Sequence, residues 1–360
     1  MTSEWTSNTT AAGLAAWLGA RSRVLLLTHQ KPDGDAAGSM AGLARALDRA
    51  GATEVIGLVS GPVPGWFDGV MQGVRALHVE QGGAEMLATE GFEPDAIVVQ
   101  DTGSRSQLEP FLPLLEGKAE ITAIVDHHLS GDGALASRRL IVTDAAAVCQ
   151  VTADVACGLL GDPDAASLPR DVAQALYLGL ATDTGWFRHS NVTPAVHRMG
   201  AALLEAGADG AALYAMVAQT EKPSRLRLMA RVLDSLEMHA DGRIAVMTAR
   251  SEDFQAAHAG PGETGGMIDL GLTIEGAAVS VLLTEVVNPD GAALTKVSFR
   301  SSSSPMVGGV VGEPVDVNVV AGRLGGGGHA RAAGARVAAG IDEAKARVLE
   351  ALYTSDEVRS

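Results

Sequence analysis

Four short stretches of this 360-residue chain carry side chains suited to holding metal ions. The first is His29-Gln-Lys-Pro-Asp33-Gly-Asp35, where Pro32 and Gly34 bend the chain so that an imidazole and two carboxylates converge. The second is Asp101, which closes Asp-Ala-Ile-Val-Val-Gln. The third is Asp126-His127-His128, which closes Ile-Thr-Ala-Ile-Val, and the fourth is Asp183, within Ala181-Thr-Asp-Thr-Gly-Trp-Phe187. Neutral imidazole nitrogen and hard carboxylate oxygen together suit Mn²⁺, Mg²⁺, Co²⁺ or Zn²⁺. Taken singly, each stretch has a plainer reading, with Asp35 as a helix N-cap and Asp101 as an ordinary strand-end aspartate. Taken together they do not, because carboxylates gathered in one place repel and are pushed toward protonation. A pair of divalent cations about 3.5–4 Å apart removes that conflict and creates a hydrolytic centre.

The elements that must position these groups are legible in the hydrophobic pattern. Arg23–Thr28, Glu54–Ser60, Asp95–Gln100 and Ile121–Val125 are short, apolar and unalternating, and helical periodicity follows at Asp35–Ala50, Ala145–Leu160, Arg170–Ala181 and Pro194–Ala206. This pattern predicts an α/β domain, a mostly parallel sheet with helices on both faces. Ligands in such a sheet sit at the carboxyl ends of the strands, which is where three of the four stretches fall. Residues 1–220 are expected to form this domain, residues 221–235 (from Gln219–Arg225 and Pro223 onward) a linker helix, and residues 236–360 a smaller α+β domain with a mixed sheet. Its expected strands are Arg243–Thr248, Ala277–Val286 and Ala292–Arg300, with a hairpin turn at Asp290-Gly291 and a mobile Ser/Gly-rich loop at Ser301–Glu313. Val232, Leu233 and Leu236 are expected in the core.

Composition narrows the function. With 27 basic and 43 acidic side chains the net charge is −16, so the chain is poorly suited to track a long polyanion. It can still hold one or two phosphates in a local pocket. No apolar run approaches the ~18 residues of a membrane span, and Met1–Asn8 has no positive charge to open a signal peptide. A short leading helix at Ala11–Ala20 is expected instead. Cys149 and Cys157 lack zinc-site spacing and read as buried thiols of a cytoplasmic protein.

In order along the chain, His29-x-x-x-Asp33-x-Asp35, Asp101, Asp126-His127-His128 and Asp183 resemble the four motifs of the DHH phosphoesterase superfamily. Ser298-Phe-Arg300-Ser301 and Gly325-Gly-Gly-Gly-His329-Ala-Arg-Ala-Ala-Gly334 resemble the substrate-binding motifs of its DHHA1 domain. The superfamily includes RecJ exonucleases, family II pyrophosphatases, exopolyphosphatases and small bacterial oligoribonucleases. Thr182-Asp183-Thr184-Gly185 is most similar to the nano-RNase and pAp-phosphatase branch, which acts on very short oligonucleotides and 3′-phosphoadenosine 5′-phosphate. Ala147-Val148-Cys149-Gln150 departs from the Ser-Thr-acidic pattern common there.

The resemblance implies two divalent cations, Mn²⁺ first and Mg²⁺ or Co²⁺ as substitutes. His29, Asp33 and Asp101 would hold one and Asp35, Asp101, His127 and Asp183 the other, with Asp101 shared. Asp126 would orient its neighbours, His128 would face the substrate phosphate, and a water acidified by both cations would attack phosphorus in line. Arg300, Ser301, Gly327, Gly328 and His329 would bind substrate, with the glycine run offering backbone N–H groups as an anion nest ahead of a small-residue helix. Cleavage is expected between the domains, with a hinge near Pro223. Trp186 and Phe187 are expected to pack beneath the metal loop, and Arg188, His189 and Asn191 are weaker substrate contacts. Homodimers occur among such relatives, though no residue pattern specifies one here. Two other readings remain, a pyrophosphatase or exopolyphosphatase and a non-catalytic nucleotide sensor. A dehydrogenase ranks low, because the loop after the first strand carries His and Asp where G-x-G-x-x-G would stand.

Overall fold

The structure is a computed structural model and describes residues 4–79, 83–287, 292–302, 306–307, 310–311 and 314–354. It divides into two compact units, residues 1–220 and 221–360.

In the first unit, strands β1 (Arg23–Leu27), β2 (Glu54–Val59), β3 (Arg75–His78), β4 (Ala96–Gln100), β5 (Thr122–Asp126) and β6 (Arg138–Ile141) form one sheet in the order β3-β2-β1-β4-β5-β6. Every pairing is parallel. The order reverses beside β1, so β1 and β4 are neighbours whose carboxyl ends open on the same crevice. Burial on both faces explains the unalternating sequences. Leu25, Leu26 and Leu27 are all fully buried, each contributing roughly 2 kcal/mol.

One face is covered by α1 (Ala11–Leu18), α2 (Gly34–Arg49), α3 (Phe67–Val70), α6 (Val148–Leu160), α7 (Arg170–Asp183), α8 (Pro194–Glu205) and α9 (Gly210–Ala218). The other is covered by α4 (Gly83–Thr89) and α5 (Leu112–Leu115). Two glycines let α2 lie directly on α7. A Cβ on Gly38 would stand 2.5 Å from the Ala175 carbonyl, and one on Gly42 would stand 2.7 Å from Leu176 Cδ2. This contact matters because α2 begins, and α7 ends, at the candidate site.

The helix expected from Ala145 starts three residues later. Ala147 is extended (φ −157°, ψ 149°) and has no side-chain cap to offer; the cap comes from Asp35, as described below.

The second unit holds α10 (Pro223–Asp234), β7 (Glu237–His239), β8 (Ile244–Ala249), α11 (Ser251–Ala257), β9 (Val279–Val287), β10 (Ala293–Ser301), β11 (Met306–Val307), β12 (Val310–Val311), α12 (Val317–Arg323), β13 (Gly327–His329), β14 (Ala332–Val337) and α13 (Ile341–Tyr353). Its main sheet runs β13-β14-β10-β9-β8-β7 and is mixed, with β8–β9 parallel and the other pairs antiparallel. The turn expected at Asp290-Gly291 lies outside the described residues, as do residues 303–305, 308–309 and 312–313 of the Ser/Gly-rich segment. Its described part pairs β11 with β12.

Two expectations are corrected here. Leu233 is 41% exposed, because only one stripe of α10 packs inward, carrying Leu228 and Val232. The segment after the glycine run is a β-hairpin, not a helix: pairing with β10 overrides the helical propensity of its alanines. Among the described residues no single helix is long and apolar enough to cross a membrane.

Candidate metal centre

The four stretches meet at the carboxyl rim of the parallel sheet. The first supplies both a helix cap and a charge cluster. Asp33, not Asp35, is the N-cap of α2, and its Oδ1 accepts from the amides of Asp35 and Ala36 at 3.1 Å each. Asp35, in the first turn, is almost fully buried. Its carboxylate reaches across 113 residues to accept the Val148 amide at 2.5 Å and the Cys149 amide at 2.9 Å. It thereby caps α6, whose own N-cap position is alanine, and the positive end of that helix faces a negative charge. Gly179 of α7 leaves the necessary room, since a Cβ there would stand 2.7 Å from Asp35 Oδ1.

Asp101 leaves β4 in the left-handed region (φ 64°), a conformation costing about 1 kcal/mol or more in a non-glycine residue. The turn sends its two oxygens in different directions. Oδ2 lies 3.5 Å from His29 Nε2, which is also 3.7 Å from Asp33 Oδ1. Oδ1 lies 3.5 Å from His127 Nε2, itself 3.7 Å from Asp183 Oδ2 and 3.9 Å from Asp35 Oδ2. Three groups of potential ligands therefore form among the described residues, His29–Asp33–Asp101, Asp35–His127–Asp183 and Asp101–His127–His128, and in each the donor atoms lie within 4.8 Å of one another; the first two share no residue. Asp101 faces both sets.

Backbone carbonyls orient both imidazoles. His29 Nδ1 is 2.8 Å from the Gln30 carbonyl, and His127 Nδ1 is 3.2 Å from that of Ala145. A ring that donates from Nδ1 presents an Nε2 lone pair to the carboxylates, the arrangement of a metal-bound histidine. His128 differs. Its Nδ1 bonds Asp126 Oδ1 at 2.7 Å, its side chain is half exposed, and Asp126 also accepts the amides of His127 and His128.

The protein groups alone leave this cluster in electrostatic conflict. Burial drives the Asp35 carboxyl well above its usual range, and repulsion from Asp101 and Asp183 adds to it. Burial likewise raises Asp183 to about 6, although His127 pulls the other way. Burial alone would lower the two imidazoles. The neighbouring carboxylates of Asp101 and Asp33 instead hold His29 at about 10, and those of Asp101 and Asp35 hold His127 at about 9. Protons thus sit where cations would. Contacts of 3.5–3.9 Å exceed ideal hydrogen-bond length and leave room for cations shared between the groups, so the donor set fits hard or borderline divalent cations.

The predicted substrate-binding residues of the second unit are brought only partly together. Arg300 and His329 both register with Ala332 across adjacent strands, so they share one face of the sheet. Ser301, the next residue on β10, is on the opposite and buried face, and its hydroxyl accepts from Arg331 at 3.3 Å. The anion nest is not assembled. Gly325 and Gly326 donate their amides to α12 carbonyls, and Gly328 donates to Asn318 Oδ1 at 2.8 Å. Glycine is needed in this run for close approach: a Cβ on Gly326 would stand 2.1 Å from the Gly334 carbonyl.

Around Asp183, the Phe187 ring packs between Tyr177 and His197, and Trp186 packs on Tyr214. Asn191 donates to the carbonyls of Ala146 and Asp183, and Arg188 to that of Gly185, so both support the loop. Nothing in the sequence marks the α6 amides that receive Asp35, since backbone donors leave no trace there.

A parallel sheet carrying this carboxylate–imidazole centre on its carboxyl rim, followed by a mixed-sheet unit, defines a phosphoesterase of the DHH class. The DHH family N-terminal domain matches residues 23–180 and the DHHA1 domain residues 241–354. The chain belongs to this family of metal-dependent hydrolases. It is 32% identical over 330 residues to the bifunctional oligoribonuclease and PAP phosphatase NrnA of Thermus thermophilus, covering 91% of this chain and 89% of that protein. Its fold is similar to that of an exopolyphosphatase-related protein from Bacteroides fragilis (TM-score 0.76, 22% identity, 95% of each chain). It is also similar to that of an exonuclease RecJ bound to manganese (TM-score 0.51, 16% identity, 99% and 98% of the chains).

Proposed function

We propose that this phosphoesterase hydrolyses very short oligonucleotides and 3′-phosphoadenosine 5′-phosphate at a pair of divalent cations, Mn²⁺ foremost. The observation that carries the reading is the placement of Asp101, whose two oxygens face two separate ligand sets. When bound, the cations supply Lewis acidity to a water nucleophile and to the phosphate oxygens.

The chain's own groups do the rest. Asp101 is shared between the sets and fixes their spacing. The carbonyl bonds of His29 and His127 keep Nε2 turned inward. Hydrogen bonding to Asp126, against the opposing effect of burial, raises the His128 imidazole, which favours a donor role for His128 toward a phosphate oxygen or the departing one. Residues 236–360 hold the nucleotide, with Arg300 and His329 as charge-assisted donors to phosphate. The acidic chain confines it to short substrates. The homology to a bifunctional oligoribonuclease and PAP phosphatase supports this substrate class.

A panel of pAp, pApA, a short RNA ladder, pyrophosphate and polyphosphate with Mn²⁺ tests the reading. Turnover of the nucleotides above pyrophosphate is expected. Preference for pyrophosphate or polyphosphate, or nucleotide binding without turnover, would overturn it.

A further inference from the structure

Residues preceding α1 run along the edge of the parallel sheet and end against the metal centre. Ser7 and Asn8 pair with the edge strand β6. The Ser7 hydroxyl donates to the Ile141 carbonyl and accepts from its amide, each at 2.7 Å. Asn8 Nδ2 donates to the Ser137 carbonyl at 2.8 Å, and Oδ1 accepts the Arg139 amide at 2.7 Å. The Asn8 amide donates to the Arg139 carbonyl at 2.9 Å. Such pairing covers an otherwise open strand edge and fixes the path of the two residues before it.

That path delivers Trp5 into the gap between two loops, the one after β4 that begins with Asp101 and the one after β5 that contains His127 and His128. The indole N–H donates to the His128 carbonyl at 3.0 Å. The far edge of the ring lies on backbone: a Cβ on Gly103 would stand 1.8 Å from Trp5 Cη2, and one on Gly131 would stand 2.4 Å from the same atom. Neither glycine has a positive φ, so local conformation does not call for glycine at these positions; the indole does. The loops also touch directly there, where the Asp132 amide donates to the Gly103 carbonyl at 2.8 Å.

We propose that Trp5 is a positioning residue for the metal centre, clamping the loop of Asp101 against the loop of Asp126, His127 and His128. The proposal rests on the metal-centre reading above. Asp101 holds a strained left-handed conformation, which persists only where the surroundings enforce it. Its neighbour two residues on is pinned by the indole. With the clamp removed, the Asp101 turn can relax and the spacing of the two ligand sets loosens, and errors well under 1 Å matter in such a site.

The test compares wild type, Trp5→Ala, Trp5→Phe, Gly131→Ala and the Trp5→Ala/Gly131→Ala pair. The measurements are Mn²⁺ affinity by calorimetry, kcat and KM for pApA, and folding by circular dichroism. Trp5→Ala should lower Mn²⁺ affinity and kcat about ten-fold or more, as loss of ligand-orienting groups does, with KM little changed. Trp5→Phe, which keeps a ring but no N–H donor, should fall between. Gly131→Ala should resemble Trp5→Ala because its methyl displaces the indole, and the double variant should be no worse than either single one. Wild-type affinity and kcat in Trp5→Ala, or a double loss equal to the product of the single losses, overturns the proposal. If Trp5→Ala does not fold, wild-type behaviour of both Trp5→Phe and Gly131→Ala overturns it, and losses in both support it. A wild-type protein that binds no Mn²⁺ would instead sink the metal-centre reading, so the two failures are distinct.

Discussion

At the rim of the parallel sheet, most working side chains are fixed by hydrogen bonds to backbone groups, whereas on the second unit's sheet Arg300 is about two-fifths exposed and His329 lies open. Asp35 is fixed by α6, and His29 and His127 by carbonyls. Among the described residues, Arg300 has a 3.5 Å contact to Asp269 and a 3.4 Å bond to its neighbour's carbonyl. The difference follows from what each place must do. Like charges gathered to receive cations repel, so they stay together only when over-determined by packing and hydrogen bonds. On the proposed function, a surface that received short, varied chains would gain from side chains free to reorient, at the cost of ordering them on binding.

The sharpest way to break this comparison is at its most constrained residue. Asp101→Ala removes the carboxylate that faces both ligand sets and should reduce turnover of pApA by more than the 10–100-fold seen when merely orienting groups are lost, with the secondary structure intact. Turnover near wild type would end the shared-carboxylate assignment.

Titration probes the same constraint through protons. In chelated protein, native Asp183 keeps its proton to about 6, whereas the unfolded group releases it near 3.8. Native His29 and His127 keep theirs to about 10 and 9, against 6.5 unfolded. In both windows the native state binds more protons, so these groups make stability fall as pH rises, from ~4 to 6 and again from 6.5 to about 9–10. Cations must displace those protons, so Mn²⁺ affinity should rise over the upper window. Thermal midpoints with chelator and with Mn²⁺ should therefore lie farther apart at pH 9 than at pH 6. An equal gap at both would mean the imidazoles are not ligands.

How much of this was legible in the sequence follows the same divide. The strand ends were readable, because an apolar run closing on an acidic residue specifies both a buried strand and its exit, as at Gln100–Asp101 and Val125–Asp126. The capping of α6 by Asp35 was not, because it depends on bonds between residues 113 and 114 apart. The late start of α6 has the same cause. Trp5 lay unread because its partners, Gly103 and Gly131, are distant and carry no side chain. In the second unit, the alanine-rich segment after His329 has helical propensity, and only its pairing with β10 makes it a strand.

On the exposed surface the effects should be smaller and of another kind. Arg300→Ala should raise KM for pApA about ten-fold, the worth of one hydrogen bond to a charged group, and leave Mn²⁺ affinity unchanged. A fall in kcat at constant KM would move Arg300 from holding the substrate to the reacting phosphate itself.

The smallest effect on catalysis tests where that surface stops. Ser301 follows Arg300 directly, yet alternation along β10 turns it inward beside Phe299, and Arg331 donates to its hydroxyl. Ser301→Ala should therefore act on stability alone. Arg331 keeps its 2.8 Å bond to the Val315 carbonyl, so the loss is one long bond from a charged donor, about 1.5 kcal/mol, or a fall of ~3–6 °C in thermal midpoint. KM for pApA should not move. If KM rises while the midpoint holds, the hydroxyl reaches substrate, β10 does not alternate as described, and the exposed face is wider than Arg300 and His329.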